Sequence, residues 1–397
     1  MIHTKYYELM KQQEELINRK NPVTDFYNGI LERYQNPVIT RHHIPIHWRY
    51  DLNIQSNPYF MERLGINATL NCGAICHEGK YYLCVRVEGL DRKSFFALAV
   101  SDHPTHGFRF CGHPIHWEDV DDSEVNMYDM RLVKHEDGYI YGIYCSESKD
   151  PSALPSDTSS AFAKAGLVRT KDLVHWDRLP NITTPSPQQR NVVLHPEFVH
   201  GRYGFYTRPQ DGFISAGTGG GIAFGTCDNI LEPIIEDETV LDERQYHTVY
   251  EVKNGQGPAP IKTEKGWIHI AHGVRNTAAG LRYVLYAFAT SLTDVTKVIA
   301  RPGGYLLAPY GKERVGDVSN VVFCNGVIPT PTGDIYLYYA SSDTRIHVAH
   351  TTIERLTDYV FHTPQDPFRS LACVRQRNHM IEQNELLLDQ YQISDCL

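Results

Sequence analysis

Gly333-Asp-Ile-Tyr-Leu-Tyr-Tyr339 is a glycine turn followed by a run of alternating aliphatic and aromatic residues, and the chain of 397 residues contains this form five times. The glycines of successive copies are 59, 63, 65 and 67 residues apart. The other copies are Gly79-Lys-Tyr-Tyr-Leu-Cys-Val85, Gly138-Tyr-Ile-Tyr-Gly-Ile-Tyr144, Gly201-Arg-Tyr-Gly-Phe-Tyr206 and Gly266-Trp-Ile-His-Ile-Ala271. Such a period indicates a repeat architecture, and aromatic strands after glycine turns favour β units.

A second signal follows each copy, where a strand ends in a small hydroxyl residue and an acidic turn, as in Ala99-Val-Ser-Asp102 and Phe224-Gly-Thr-Cys-Asp228. Two ordered signals in five units predict an all-β fold, a five-bladed β-propeller with four strands in each blade. A large β-sandwich, which also alternates and turns often, is the other interpretation. The propeller is preferred because a sandwich gives no reason for a period of about 60 residues.

Both ends of the chain lie outside the repeat and carry helical patterns. Helices are predicted over residues 4–20 and 25–34, and a third in the tail over 381–389. A propeller needs no helical arms, so the helices are hypothesised to make the contacts of a homo-oligomer, or else to brace the blades. The predicted domains are an N-terminal helical extension (1–36), the propeller as catalytic domain (37–365) and a partly helical C-terminal extension (366–397).

The charge and cysteine content point to a protein without nucleic-acid or membrane partners. The net charge is −9, from 38 basic and 47 acidic residues, which is unlike a nucleic-acid binder or a protein of anionic membranes. The nine cysteines are odd in number and form no C-x-x-C pair, as expected of reduced thiols in the cytosol. With neither a secretory signal nor an apolar run of about 18 residues, the expected location is cytoplasmic.

Common catalytic and cofactor motifs are missing from the sequence. There is no H-E-x-x-H zinc motif among the 20 histidines and no G-x-S-x-G nucleophile elbow. Gly217-Thr-Gly-Gly-Gly221 matches neither dinucleotide nor P-loop patterns and is interpreted as a turn. No metal and no organic cofactor is therefore expected.

Several charged residues stand in apolar or aromatic surroundings, where a charge is costly unless it is paired. Asn126-Met-Tyr-Asp-Met-Arg131 places Asp129 and Arg131 on one face of a predicted strand. Singly, each such residue is explained by a salt bridge or a turn. Because propeller strands converge on one axis, charges at their ends can instead share one pocket. The other candidates for such a pocket are Arg190, Asn191, Arg208, Lys253, His272, Tyr283 and Asp343.

These segments resemble the mannoside phosphorylases of glycoside hydrolase family 130, over about residues 36–389. Family members generally show Glu-Asp-Pro-Arg where this chain has Tyr128-Asp-Met-Arg131, so the acid and the arginine are kept while both neighbours differ. The remaining matching motifs are Asn71-Cys-Gly-Ala74, Arg86-Val-Glu-Gly89, Arg190-Asn191, Arg208-Pro209, Gly257-Pro-Ala-Pro-Ile261, His272-Gly-Val274 and Gly316-Asp-Val-Ser-Asn-Val-Val-Phe323.

The resemblance implies a five-bladed propeller and an inverting phosphorolysis, with 4-O-β-D-mannosyl-D-glucose as the expected substrate and inorganic phosphate as co-substrate. Asp129 is then the proton donor, acting through the 3-hydroxyl of the mannosyl unit. The residues implied to hold phosphate are Arg190, Asn191, Arg208, Lys253, His272 and Tyr283. The residues implied to bind the mannosyl hydroxyls are Asn71, Arg86, Arg131 and Asp343.

Two other functions stay open at this point. An inverting β-mannosidase would use water and a second carboxylate, for which Glu124, Glu197 and Asp211 are candidates. A non-catalytic glycan-binding propeller would use Asp129 only to pair with Arg131. The acceptor sugar (glucose, N-acetylglucosamine or mannose) also stays open, because a few loop contacts decide it.

Overall fold

A computed structural model describes residues 2–117 and 123–391, with the backbone alone for 25–27, and these residues form five antiparallel sheets. The sheets follow one another along the chain and make a five-bladed β-propeller, as the repeat predicted. Each repeat glycine lies at the turn that enters the strand second in the sheet order of its blade. Four of these five glycines have φ between 78° and 90°, a conformation that residues with a Cβ rarely adopt.

The chain begins with elements that precede the first repeat unit. They are helix α1 (Lys5–Ile17), strands β1 (Val23–Tyr27), β2 (Glu32–Tyr34) and β3 (Ile39–Thr40), the 3-10 turn Arg41–His43 and helix α2 (Ile46–Arg49). α1 lies within the predicted range 4–20. It packs on its own chain, where the Gln13 side chain donates to the carbonyls of His42 and Ile44, each at 2.8 Å.

The first two blades are regular four-stranded meanders. Blade 1 contains β4 (Ile66–His77), β5 (Lys80–Gly89), β6 (Ser94–Ser101) and β7 (Arg109–Phe110). Blade 2 contains β8 (Glu124–Lys134), β9 (Ile140–Lys149), β10 (Ala161–Thr170) and β11 (Asp177–Ile182).

The next two blades begin with shorter inner strands. Blade 3 contains β12 (Val193–Leu194), β13 (Tyr203–Thr207), β14 (Ile222–Cys227) and β15 (Thr239–Asp242). Blade 4 contains β16 (Lys253–Gln256), β17 (Ile261–Lys262), β18 (Trp267–Thr277), β19 (Gly280–Thr290) and β20 (Val298–Ala300). A long loop with a 3-10 turn (Gly311–Arg314) leads to the last blade.

Blade 5 is assembled from both ends of the chain. Its consecutive strands are β21 (Val322–Pro329), β22 (Asp334–Ser341) and β23 (Arg345–Thr352), followed by helices α3 (Ile353–His362) and α4 (Ser370–Gln390). β2 and β3 both pair with β23, and β1 pairs with β2. The N-terminal strands therefore close the ring by completing its last sheet.

The helix predicted over 25–34 is wrong, because β1 and β2 form there. Asn28 and Gly29 make the turn between them: Gly29 has φ 83°, and the Asn28 side chain accepts from the amides of Ile30 and Leu31. β23 would otherwise present unpaired backbone groups, and pairing with β2 satisfies them. The division of the chain at 36 and 366 stays a prediction, but residues 23–34 share a sheet with blade 5.

Apolar side chains fill the spaces between neighbouring blades. The largest cluster joins blades 2, 3 and 4 through Tyr141, Phe205, Phe224 and Phe288. The inner strands β4, β8 and β21 also contact one another near the axis. Polar side chains at these strand ends are therefore brought to one place.

The described chain ends in a single long helix, α4. α4 contains the predicted helix over 381–389 but begins earlier, and none of its residues is buried. The eight cysteines in the described part of the chain are free, and Cys396 lies outside it. No helix of the described residues is long and apolar enough to cross a membrane.

Candidate active site

A cavity of about 670 Å³ is lined by residues from all five blades or from the loops that adjoin them. Ten of the eleven residues predicted for the site line it, and Arg131 is the exception. The predicted lining residues are Asn71, Arg86, Asp129, Arg190, Asn191, Arg208, Lys253, His272, Tyr283 and Asp343. The tertiary structure thus brings together residues that are up to 272 positions apart in the chain.

Asp129 is presented to the cavity by a β-bulge. The register between β8 and β9 shifts between Tyr128 and Arg131, and Asp129 has φ 63°. Its Oδ1 accepts hydrogen bonds from Asn71 Nδ2 at 2.9 Å and from Arg86 NH1 at 3.0 Å. Among the described residues no donor is bonded to Oδ2, so one oxygen is anchored and the other is available to a ligand.

Asn71 reaches Asp129 through a matching bulge in blade 1. The register between β4 and β5 shifts between Leu70 and Gly73, and Asn71 has φ 41°. Bulges re-aim a side chain without ending the sheet. In both β4 and β8, a β-bulge thus directs a polar side chain to the cavity.

Arg131 lies behind the cavity wall and is 1% exposed. It donates to the Asp129 carbonyl at 2.8 Å, to Asn191 Oδ1 at 2.8 Å and to the Gly257 carbonyl at 3.0 Å. Burial lowers the pKa of Arg131 to about 10. The Arg131 guanidinium thus hydrogen-bonds to blade 2, to blade 4 and to the segment before blade 3. It supports the residues that line the cavity without lining the cavity itself.

One half of the cavity, called the cationic half below, is lined by Arg190, Arg208, Lys253 and His272. Arg190, Arg208 and Lys253 form no salt bridge within the described residues, and the guanidinium of Arg190 lies 3.8 Å from the ring centre of Phe213. Three buried nitrogens also lack a hydrogen-bond partner there: Arg190 Nε, Arg208 Nε and His272 Nδ1. Buried donors without protein partners are rare in folded proteins, and these three nitrogens are free to bond a ligand held in this half.

The electrostatics of this half favour an anion. Burial, reinforced by Arg208 and Arg190, lowers the pKa of Lys253 to about 8. Burial and the charge of Arg190 lower the pKa of Arg208 to about 10. Burial also holds the pKa of His272 well below its usual range, so the imidazole is neutral at pH 7. A bound anion would relieve the repulsion among these cations.

The opposite half, called the acidic half below, is lined by Asp317 and Asp343. Burial and the carboxylate of Asp129 raise the pKa of Asp343 to about 6, against the opposing charge of Arg86. Asp317, in the loop before blade 5, accepts from Asn67 Nδ2 at 2.7 Å. Carboxylates facing a polar cavity are acceptors suited to sugar hydroxyls.

Sequence reasoning missed several lining residues. Asp317 belongs to a motif quoted above, yet only its place in a loop between Gly316 and Ser319 hinted at an exposed role. Tyr128 lines the cavity beside Asp129, and its hydroxyl donates to Glu147 at 2.8 Å. Apolar lining residues such as Phe323 carry no signal that separates them from the core.

The carboxylates suggested for a hydrolase do not line the cavity. Glu197 forms a salt bridge with Lys262 at 2.6 Å, and Asp211 accepts from the Thr218 amide at 2.8 Å. Glu124 accepts from the Ser146 hydroxyl. Among the described residues, no group of three or more His, Cys, Asp or Glu side chains could hold a metal ion.

Comparison with known proteins specifies the class of protein to which this propeller and its divided cavity belong. The family model for β-1,4-mannooligosaccharide phosphorylase matches residues 67–362, so the chain belongs to glycoside hydrolase family 130.

Three proteins of stated activity are similar to this chain. A 4-O-β-D-mannosyl-D-glucose phosphorylase of Bacteroides fragilis is 55% identical over 98% of this chain and 99% of its own. A β-1,4-mannooligosaccharide phosphorylase of Ruminococcus albus is 35% identical over 44% of this chain and 51% of its own. The solved structure of β-1,2-mannobiose phosphorylase from Listeria innocua in complex with β-1,2-mannobiose superposes with a TM-score of 0.65. It is 18% identical and covers 86% of this chain and 99% of its own, which shows the shared fold.

Proposed function

We propose that this protein catalyses the reversible phosphorolysis of 4-O-β-D-mannosyl-D-glucose, giving α-D-mannose 1-phosphate and D-glucose with inversion at the anomeric carbon. The observation that carries the proposal is the cluster of cations, without salt-bridge partners among the described residues, that shares one cavity with Asp129. The 55% identity to the Bacteroides fragilis enzyme over nearly the whole chain supports the substrate, including glucose as acceptor.

Phosphate takes the place of the water and base that a hydrolase needs. Inverting hydrolysis requires a second carboxylate to activate water, whereas phosphate is already an anionic nucleophile. Arg190 and Arg208 suit it because a planar guanidinium bonds two oxygens at once, and Lys253 adds a point charge. Asn191, His272 and Tyr283 complete the proposed phosphate site.

Asp129 supplies the proton to the leaving group. In the proposed reaction a phosphate oxygen forms a bond to the anomeric carbon while the bond to O4 of glucose breaks. The proton passes from Asp129 through the 3-hydroxyl of the mannosyl unit to that O4, and the proton released by phosphate restores the acid. Asn71, Arg86 and Asp343 hold the mannosyl hydroxyls, and Arg131 acts from behind through Asp129 and Asn191.

The decisive experiment is to incubate the purified protein with mannosyl-β-1,4-glucose, with and without phosphate, and to follow mannose 1-phosphate and free mannose. We expect mannose 1-phosphate only with phosphate, and the α configuration by NMR. Free mannose at the same rate without phosphate would establish a hydrolase instead. No product in either reaction would favour a non-catalytic glycan-binding propeller.

A pair of arginine variants tests the anion site. Arg208→Ala should mainly raise the KM for phosphate, because it removes binding common to the ground and transition states. Arg202→Ala is the matched control, since Arg202 forms an exposed ion pair with Asp228. An unchanged phosphate KM in Arg208→Ala would place the anion elsewhere.

α4 is the surface proposed for homo-oligomerisation. A helix of 21 residues with none buried lacks the packing that normally stabilises a helix. Arg375 and Arg377 lie in its first half and Glu382 and Glu385 in its second, so two antiparallel copies would pair opposite charges. Its exposed apolar residues are Leu371, Val374, Met380, Ile381, Leu386 and Leu387.

Phosphate is the co-substrate, and no other cofactor enters the proposed reaction. The free cysteines of the described part support a reducing, cytoplasmic location.

A further inference from the structure

The acidic half of the cavity is built from two segments near blade 5. The loop before β21 contributes Asp317, Val318 and Ser319, and the turn between β22 and β23 contributes Asp343. Asp343 and its neighbour Ser342 both have left-handed backbone angles, with φ 53° and 46°. Such a conformation persists only where the surroundings hold it.

Glu313 holds the loop from beneath. Its carboxylate accepts from Tyr339 OH at 2.6 Å and from the Tyr310 amide at 3.0 Å, and it forms a salt bridge with Arg33 NH1 at 2.5 Å. The side chains of Arg33 and Glu313 are 9% and 11% exposed. Arg33 also donates to the Ala308 carbonyl at 2.7 Å. Removing either partner would leave the other as a nearly buried charge without its counterion.

The same residue reaches the second segment. The Ser342 hydroxyl donates to the Glu313 carbonyl at 2.6 Å, and the Ser342 carbonyl accepts from the Val318 amide at 3.3 Å. A Cβ on Gly316 would lie 2.4 Å from the Ser342 carbonyl oxygen, so the loop and the turn are in close contact. Glu313 therefore links the loop that carries Asp317 to the turn that carries Asp343.

We propose that Arg33 and Glu313 are positioning residues for the sugar-binding half of the cavity. Arg33 lies on β2, outside the stretch 67–362 that the family model matches, so the N-terminal strand is part of the functional unit. The inference rests on the proposed function in taking the acidic half as the site of the mannosyl unit. Neither residue touches the cavity, and both act through Asp317 and Asp343.

The kinetic test compares Arg33→Met with Arg49→Met. Arg49 is a matched control because its side chain is 6% exposed and paired with Glu62 at 3.1 Å, away from the cavity lining. In Arg33→Met the KM for the disaccharide should rise about tenfold to a hundredfold, the effect of a small misplacement. The KM for phosphate should stay within about twofold, because the cationic half is untouched. Parallel changes in both KM values, or none, would overturn the proposal.

A double variant separates positioning from general destabilisation. Glu313→Gln should reproduce the same selective rise, and Arg33→Met/Glu313→Gln should be no worse than the more impaired single variant, because both remove one interaction. Additive losses would contradict a shared role. Arg49→Met should lower the melting temperature while leaving both KM values unchanged.

Hydrogen–deuterium exchange tests, without relying on turnover, whether Arg33 and Glu313 order the loop and the turn. Amides of residues 310–321 and 341–345 should exchange faster in Arg33→Met than in wild type, and not in Arg49→Met. If wild type shows no phosphate-dependent product, the proposed function fails, and this exchange pattern still decides whether the pair orders the two segments. Unchanged exchange in both segments would overturn the positioning role.

Discussion

Asp129 shows how much a single residue depends on backbone geometry. Its left-handed conformation accompanies the bulge in β8, and two hydrogen bonds fix one carboxylate oxygen while the other has no donor among the described residues. The motif around Asp129 is visible in the sequence, but the bulge is not. A regular strand would place Asp129 and Arg131 on one face, whereas here Asp129 lines the cavity and Arg131 lies behind it.

Asp129→Asn tests the acid. The amide keeps an oxygen that can accept from Asn71 and Arg86, so the fold should be preserved while the proton donor is lost. We expect kcat to fall by roughly two to four orders of magnitude, the usual contribution of a positioned acid. Asp294→Asn, at an exposed turn where the side chain binds Thr296, is the control and should keep full kcat. Near-normal turnover in Asp129→Asn would mean that the proton comes from elsewhere.

Lys253 should set a pH limit for phosphate binding. Its pKa is lowered to about 8, so in the free enzyme it loses its charge as the pH rises through that value. The kcat/KM for phosphate should therefore fall above about pH 8, because a neutral amine attracts the anion less. Lys253→Arg should move this fall to higher pH, since a guanidinium stays charged.

The control for this profile is Lys265→Arg, which alters an exposed lysine outside the cavity. Its profile should match that of wild type. A falling limb that stays at the same pH in Lys253→Arg would assign the titration to another group.

At the scale of elements, the inner strands do more than support the blades. β4, β8 and β21 each contain a register shift, between Leu70 and Gly73, between Tyr128 and Arg131, and between Cys324 and Gly326. Two of these shifts place Asn71 and Asp129 in the cavity. The close approach of β4 to β8 is what brings these two side chains into hydrogen-bond contact.

Gly73→Ala tests that approach. A Cβ at Gly73 would lie 2.9 Å from the Met130 carbonyl oxygen and 3.0 Å from the Leu132 amide nitrogen, both on the backbone of β8. The two strands would have to separate, so we expect a loss of about 1–3 kcal/mol in the free energy of unfolding and a lower kcat. Thermal unfolding and steady-state kinetics measure the two effects.

The control for Gly73→Ala is Gly212→Ala, where the nearest atom would be the Ser215 carbonyl oxygen at an ordinary 3.5 Å. This variant should change neither stability nor turnover appreciably. If Gly73→Ala unfolds like wild type and keeps its kcat, the close approach of the strands does not position Asp129.

One of the elements predicted from the sequence pattern is wrong. The helix predicted over 25–34 is replaced by β1 and β2, because the open edge of β23 supplies hydrogen-bond partners that a local window cannot reveal. The repeat glycines, in contrast, were recognised correctly, because a turn with positive φ has a strong local preference for glycine.

For the whole molecule, the N-terminal strands that close the ring and the C-terminal helix α4 differ in how they can be altered. The ring joins the N-terminal strands to blade 5, so the first 34 residues cannot be removed without exposing a sheet edge. α4 can be altered without touching the propeller, because none of its residues is buried. Oligomerisation is therefore tested on α4 alone.

We expect Glu382→Lys/Glu385→Lys to lower the mass measured by light scattering, because like charges would then face each other between antiparallel copies of α4. Adding Arg375→Glu/Arg377→Glu should restore the mass. Glu354→Lys, on the exposed side of α3, is the control and should leave it unchanged. A mass that stays the same in every variant would remove α4 as the interface.

The number of blades and the strand-leading turns could be predicted from the chain alone, because glycine turns and strand alternation are local properties. Ten of the residues that line the cavity were predicted from short motifs and from their resemblance to glycoside hydrolase family 130. Three features became visible only in the folded molecule: the N-terminal strands complete blade 5, Arg131 lies behind the cavity wall, and Arg33 pairs with Glu313. These outcomes depend on contacts between residues 60 to 318 positions apart. Such contacts are set by how the blades pack around the axis, and no local pattern records that packing.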